Sequence, residues 1–158
     1  MHGGVAHLLG NMLFLWIFGD NIENALGHFK YLIFYMLGGV LAGLTHVFAT
    51  LVLGQNLLIP CLGASGAISA VLGAYMLLFP TRGVHLWVFF LIITVPAFLA
   101  VGLWFVFQLM NGLGTLGGEE AGGVAYAAHI GGFIFGLILI RRFVRRLPVS
   151  RRKSQWNF

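Results

Sequence analysis

Residues 31–81 read YLIFYMLGGVLAGLTHVFATLVLGQNLLIPCLGASGAISAVLGAYMLLFPT, without one Asp, Glu, Lys or Arg. A membrane-spanning helix needs about 20 predominantly apolar residues, so this run holds more than one. Gly54-Gln55-Asn56 and Pro60 divide it, predicting a helix over about Tyr31 to Leu53 and another from near Gly63 to Pro80. Residues 83–118 are equally free of charge. Hydrophobic residues make up 59% of the chain, charged residues 8%, and the mean hydropathy is +0.95. A soluble domain carries about 25% charged residues. The composition therefore calls for an integral membrane protein, and the long apolar runs call for an all-α, polytopic helical bundle. Strand alternation is absent, which excludes an outer-membrane barrel.

Breakers and charges mark three further segments. One runs from about Val5 to Phe18 and ends at Gly19-Asp20-Asn21, in a charged loop from Asp20 to Lys30. Another is expected over about His85 to Phe107, with Pro96 as an internal kink. The last spans about Val124 to Phe143, after a glycine-rich loop (111–123) that carries Glu119 and Glu120. It empties into Arg141, Arg142, Arg145, Arg146, Arg151, Arg152 and Lys153. Residues 1–144 read as one transmembrane domain and 145–158 as a basic cytoplasmic tail.

Positive residues favour the cytoplasmic side, so the last helix ends inside. Counting back, the loops with Arg82 and Lys30 also fall inside, and those with Pro60 and with Glu119-Glu120 fall outside. All nine basic residues then share one face. The net charge of +5 reports topology and contact with an anionic lipid bilayer, and nucleic-acid binding is the poorer explanation. A prokaryotic inner membrane is the expected location, with the C-terminus in the cytoplasm. Trp16, Trp87 and Trp104 lie near expected helix ends and read as interfacial anchors. The lone Cys61 permits no internal disulfide and reads as a small apolar filler. No basic n-region of a signal peptide precedes the first apolar stretch.

Polar side chains at membrane depth are costly unless paired, and so are functional candidates by default. Ser65 sits in Gly63-Ala64-Ser65-Gly66 and His129 in Ala127-Ala128-His129-Ile130-Gly131-Gly132, in two different apolar segments. In this topology both lie toward the outer side, as do His2, His7 and Asn11. Each has a plainer reading. A serine in a membrane helix commonly packs, or bonds back to its own helix, and a histidine in a glycine-rich helix is commonly a satisfied core residue. The flanks tip the balance. Gly63, Gly66, Ala67, Ala70 and Ala74 make a narrow surface at helical spacing, matched by Ala128, Gly132 and Gly136. Small strips let helix backbones approach closely, which a nucleophile–base contact of about 2.6–3.2 Å requires.

No acidic residue lies within an apolar segment, so a serine–histidine dyad is the most this reading offers. A zinc protease wants His-Glu-x-x-His, which is missing, and an aspartyl protease wants two intramembrane carboxylates. No metal or other cofactor is expected. His7 and Asn11 are four apart and share a helix face, whereas His2 is about 140° round from His7. With the Ser65 amide, His7 and Asn11 are candidate oxyanion donors; the plainer reading is a helix cap and two interface histidines.

Four motifs carry a resemblance: His2-x4-His7-x3-Asn11; Gly19-Asp20-Asn21-Ile22-Glu23 followed by Gly27; Gly63-Ala64-Ser65-Gly66; and Ala128-His129-x2-Gly132-x3-Gly136. In order, spacing and topology the chain resembles the rhomboid family of intramembrane serine proteases, over nearly all its length up to the basic tail. The resemblance implies Ser65 as nucleophile, His129 as general base and acid, and His7 with Asn11 at the oxyanion. It implies hydrolysis of a peptide bond in or next to a transmembrane segment of another protein, after a small residue. The family core has six helices. This chain begins where the second would, so about five are expected, without the first helix and its following loop.

The competing class is a non-catalytic member of the same fold that binds transmembrane helices without cutting them. A channel or transporter would spread polar groups along a pathway, which their clustering at one side disfavours. The oligomeric state is not legible.

Overall fold

The computed structural model describes residues 4–54, 63–88, 90–116 and 126–144. Its first helical run is continuous from Val5 to Leu26. It comprises α1 (Val5–Phe14), a π-helical turn (Leu15–Gly19) and α2 (Asp20–Leu26). The loop expected from Asp20 is thus helical, and the break comes later, at Gly27, whose φ of 81° suits only glycine. The π turn absorbs one extra residue without ending the helix. Gly19 belongs there because a β-carbon would stand 2.6 Å from the Tyr31 hydroxyl.

Helix α3 (His28–Val52) returns across the bundle, and α4 (Ser65–Leu78) lies at its centre. Ala67 through Tyr75 are all buried, as is Leu78. A helix that is apolar on every side belongs in an interior, and α4 is covered from two directions. Toward α3, Ala67 faces Gly39 and Ala70 faces Gly38. Toward α6 (Tyr126–Phe143), a β-carbon at Gly73 would collide with the Phe133 carbonyl, and one at Gly136 with the Ala70 carbonyl. Lipid tails are as apolar as leucine, so such close packing, not water exclusion, holds membrane helices together.

The segment after Arg82 departs from the expected single helix. Gly83–Val88 (β1) and Leu91–Pro96 (β2) form an antiparallel hairpin, with Gly83 opposite Pro96 and Val88 opposite Leu91. Val84, Val88, Ile92, Ile93, Thr94 and Val95 are β-branched and suit a pleated strand. Pro96 therefore closes the hairpin instead of kinking a helix, and α5 runs from Ala97 to Leu116. The Ala97 and Phe98 amides donate to the Arg82 and Pro80 carbonyls, both at 2.8 Å, pinning the start of α5 to the end of α4.

The all-α helical bundle expected from composition holds, with this hairpin as its addition. Among the described residues four helices are long and apolar enough to cross a membrane, and α4 is shorter. Their outward faces carry exposed apolar side chains such as Val5, Phe29, Val52 and Leu103, as lipid contact demands. The core between them is built on Phe18 against Tyr75, edge to face at 5.0 Å, and Phe105 stacked on Phe133 at 4.2 Å. This is an integral, multi-pass membrane protein.

Candidate active site

Three helices converge at one end of the bundle. Ser65 is the first residue of α4, following Ala64 in a non-helical conformation. The first amides of an α-helix have no carbonyl partner within it, so the Ser65 backbone offers a donor beside its hydroxyl. Gly63, two residues earlier, has φ 107°, a left-handed value that other residues rarely adopt. A β-carbon there would also stand 3.1 Å from the His7 ring. Gly63 therefore turns the chain into α4 and keeps its backbone bare against α1.

His129 lies in the first turn of α6. Its Nε2 is 2.8 Å from Ser65 Oγ, within hydrogen-bond reach of the hydroxyl. Trp104 and Tyr126 flank the imidazole at 6.2 and 6.5 Å between ring centroids, the tyrosine edge-on. Trp104 thus contributes to the site wall, and it lies within α5 and not near the helix end where an anchor is expected. Trp16 is exposed but sits within the continuous Val5–Leu26 run and not at its end, and the Trp87 side chain lies outside the described residues.

A cavity of about 230 Å³ opens over the pair. His7, Asn11, Ser65, Trp104 and His129 contribute to its rim, and Phe14, Ile68 and Leu72 are apolar parts of its wall. Asn11 is 8% exposed, and its Nδ2 is buried without a hydrogen-bond partner among the described residues. An orphaned donor of this kind costs about 1–3 kcal/mol, a cost that any hydrogen-bond acceptor reaching it would remove. Ser69, one turn below, is spent on its own helix, its hydroxyl donating to the Ser65 carbonyl at 2.7 Å.

The structure thus brings together Ser65, His129, His7, Asn11 and Gly63. Gly66, Gly132 and Gly136 lie along the α4–α6 contact. His2 lies outside the described residues, as do Cys61, the Glu119-Glu120 pair and the tail from residue 145. No cluster of His, Cys, Asp or Glu among the described residues is arranged to hold a metal.

One residue is absent from the sequence reading. Gln108 of α5 is 6% exposed, and His129 Nδ1 is 2.8 Å from its Oε1. The signal was periodic. Ala97, Val101, Trp104, Phe105, Gln108 and Gly112 fall at helical spacing on the face of α5 that meets the bundle, and Gln108 is the buried polar side chain of that helix among the described residues. Reading residues 85–107 as one helix ended the segment just short of it.

A family model described as the Rhomboid domain matches residues 1–146. The chain belongs to the rhomboid family. Among rhomboid relatives it is 33% identical over 133 residues to Rhomboid protein 1, mitochondrial, of Saccharomyces cerevisiae, covering 84% of this chain and 36% of that protein. It is 31% identical over 144 residues to Presenilin-associated rhomboid-like protein A, mitochondrial, of Danio rerio, covering 86% and 33%. RHOMBOID-like protein 4 of Arabidopsis thaliana is 33% identical over 140 residues, covering 88% and 31%. The chain spans about a third of the length of these rhomboid relatives. No solved structure matches.

Proposed function

We propose that this chain carries the catalytic core of an intramembrane serine endopeptidase, with Ser65 as nucleophile and His129 as its base. The observation that carries the reading is the 2.8 Å contact between His129 Nε2 and Ser65 Oγ under a cavity at the outer end of the bundle. Nucleophile and base within hydrogen-bond reach are the signature of covalent acyl transfer.

Depth supports it. At about 1.5 Å per residue, the 14 residues of α4 span about 21 Å, against about 30 Å of bilayer hydrocarbon. A helix so short, anchored at its inner end, recesses Ser65 below the outer boundary. A substrate helix is hydrogen-bonded along its whole backbone in lipid, so a segment of it must unwind to present a carbonyl.

Ser65 Oγ then attacks that carbonyl as His129 Nε2 takes the hydroxyl proton. The oxyanion is held by the Asn11 amide, by His7 and by the Ser65 backbone N–H. His129 returns the proton to the leaving amine as the C–N bond breaks, leaving an acyl-enzyme. Water from the outer side attacks the ester as His129 takes its proton; the bond to Ser65 Oγ breaks, His129 returns the proton to that oxygen, and the carboxylic acid product departs. Membrane proteins with a transmembrane segment are the substrates this reading requires, cut after a small residue.

Orientation rests on charge alone. Lys30, Arg82, Arg141 and Arg142 mark one face, toward the compartment from which the chain is inserted. The relatives named as mitochondrial give no support to a prokaryotic inner membrane as the location. The 145–158 stretch is proposed as a basic tail on that same face. The test is cleavage of a labelled single-span substrate by the purified protein in liposomes. Ser65→Ala and His129→Ala are each expected to abolish product, and undiminished cleavage by Ser65→Ala overturns the reading.

A further inference from the structure

Among the described residues no acidic side chain is bonded to the His129 ring. The Gln108 amide is bonded to the ring at Nδ1, on the edge away from the Nε2 that faces Ser65, and both contacts are 2.8 Å. An amide oxygen only accepts, so a hydrogen bond to Oε1 requires the proton on Nδ1. A neutral imidazole carries one N–H, and Nε2 is then left as the acceptor that faces the Ser65 hydroxyl. We propose that Gln108 is a positioning residue that holds His129 in its base-competent tautomer, completing a Ser65–His129–Gln108 relay from α4, α6 and α5. The proposal rests on the endopeptidase reading of Ser65 and His129.

Two further features fit this role. Gln108 is 6% exposed, so water competes little for its amide. Its own helix is braced against α6 by the Phe105–Phe133 stack at 4.2 Å and by Trp104, which touches the rings of both His129 and Phe133. The amide is therefore delivered from a backbone that is itself fixed relative to the histidine. In serine hydrolases the residue behind the histidine sets its tautomer, and the wrong tautomer is costly. A neutral amide supplies the acceptor without placing a charge in an apolar bundle, where an unpaired carboxylate is expensive.

The test compares two near-isosteric variants of the full chain. Gln108→Glu keeps an acceptor oxygen, and Gln108→Met removes it. The readouts are the rate of Ser65 labelling by a fluorophosphonate, kcat and KM on a single-span substrate, and the ¹⁵N resonances of the His129 ring. Gln108→Met is expected to slow labelling and kcat roughly 10- to 100-fold, as loss of one buried hydrogen bond allows, with KM changed less than about threefold. Gln108→Glu is expected to recover most of the rate. The nitrogen spectrum of the wild type should show the proton on Nδ1, and that of Gln108→Met a mixture.

Equal labelling by Gln108→Met and wild type overturns the proposal while leaving the Ser65–His129 reading intact. Absence of labelling in the wild type overturns that reading itself. Should Gln108→Met fail to fold, the wild-type spectrum still decides, since a proton on Nε2 contradicts the proposed tautomer.

Discussion

Gly132 of α6 lies against the Gly66 carbonyl of α4 with no room for a β-carbon between them. Gly66 adjoins Ser65, and Gly132 is three residues beyond His129. The backbone contact between two glycines therefore sets the distance between a hydroxyl and an imidazole. Gly132→Ala is expected to push α4 and α6 apart, because the obstacle is main chain and cannot rotate away. Overpacking of this kind costs about 1–3 kcal/mol. Thermal unfolding in detergent should register that loss, and turnover should fall by at least about 10²-fold as the near-attack geometry is lost. Gly43→Ala is the control: a β-carbon there meets nothing within 4 Å, so stability and turnover should hold.

Asn11 gives a different signature, because its Nδ2 is already without a partner. Asn11→Ala removes the donor proposed for the oxyanion and should lower kcat by about 10²–10³. The folded protein loses no hydrogen bond made by that nitrogen and sheds an unsatisfied donor. The unfolding midpoint should stay level or rise while turnover collapses. A parallel fall in both would reassign Asn11 to structure.

Gly63→Ala tests the turn into α4. Its φ of 107° costs a residue with a side chain about 1–2 kcal/mol, and the new methyl would stand 3.1 Å from the His7 ring. Ser65 acylation should slow, with Gly54→Ala as comparison: its φ of 64° is also positive, and it is not among the residues that line the cavity. Equal effects at both positions would mean that strain alone, and not the His7 contact, matters.

Topology is open to chemical labelling. Phe90 is 98% exposed in the hairpin that joins α4 to α5. In a Cys61→Ser background, Phe90→Cys should react with a membrane-impermeant maleimide only from the side that also reaches a cysteine placed at Lys30. Reaction from opposite sides would break the charge-based orientation.

Much of this was legible from composition. The charge-free run over 31–81 announces two helices, and small residues around Ser65 and His129 announce close backbones. The Ser65–His129 contact follows from topology once both are set at the outer ends of their spans. Three features escaped for physical reasons. Residues 83–96 are as apolar as a span, and only the cluster of β-branched side chains ending at Pro96 marks a hairpin. Gly19-Asp20-Asn21 resembles a helix stop, but a π turn carries the helix through it to Gly27. Gln108 is one polar residue in an otherwise apolar helix, and its meaning depends on a neighbour 21 residues away across a loop.

Mass-spectrometric mapping of a fluorophosphonate adduct on the full chain bears most directly on the chemistry. The adduct should fall on Ser65 in the wild type and vanish in His129→Ala. An unmodified Ser65, or equal modification with and without the imidazole, would contradict a hydroxyl activated by its neighbour.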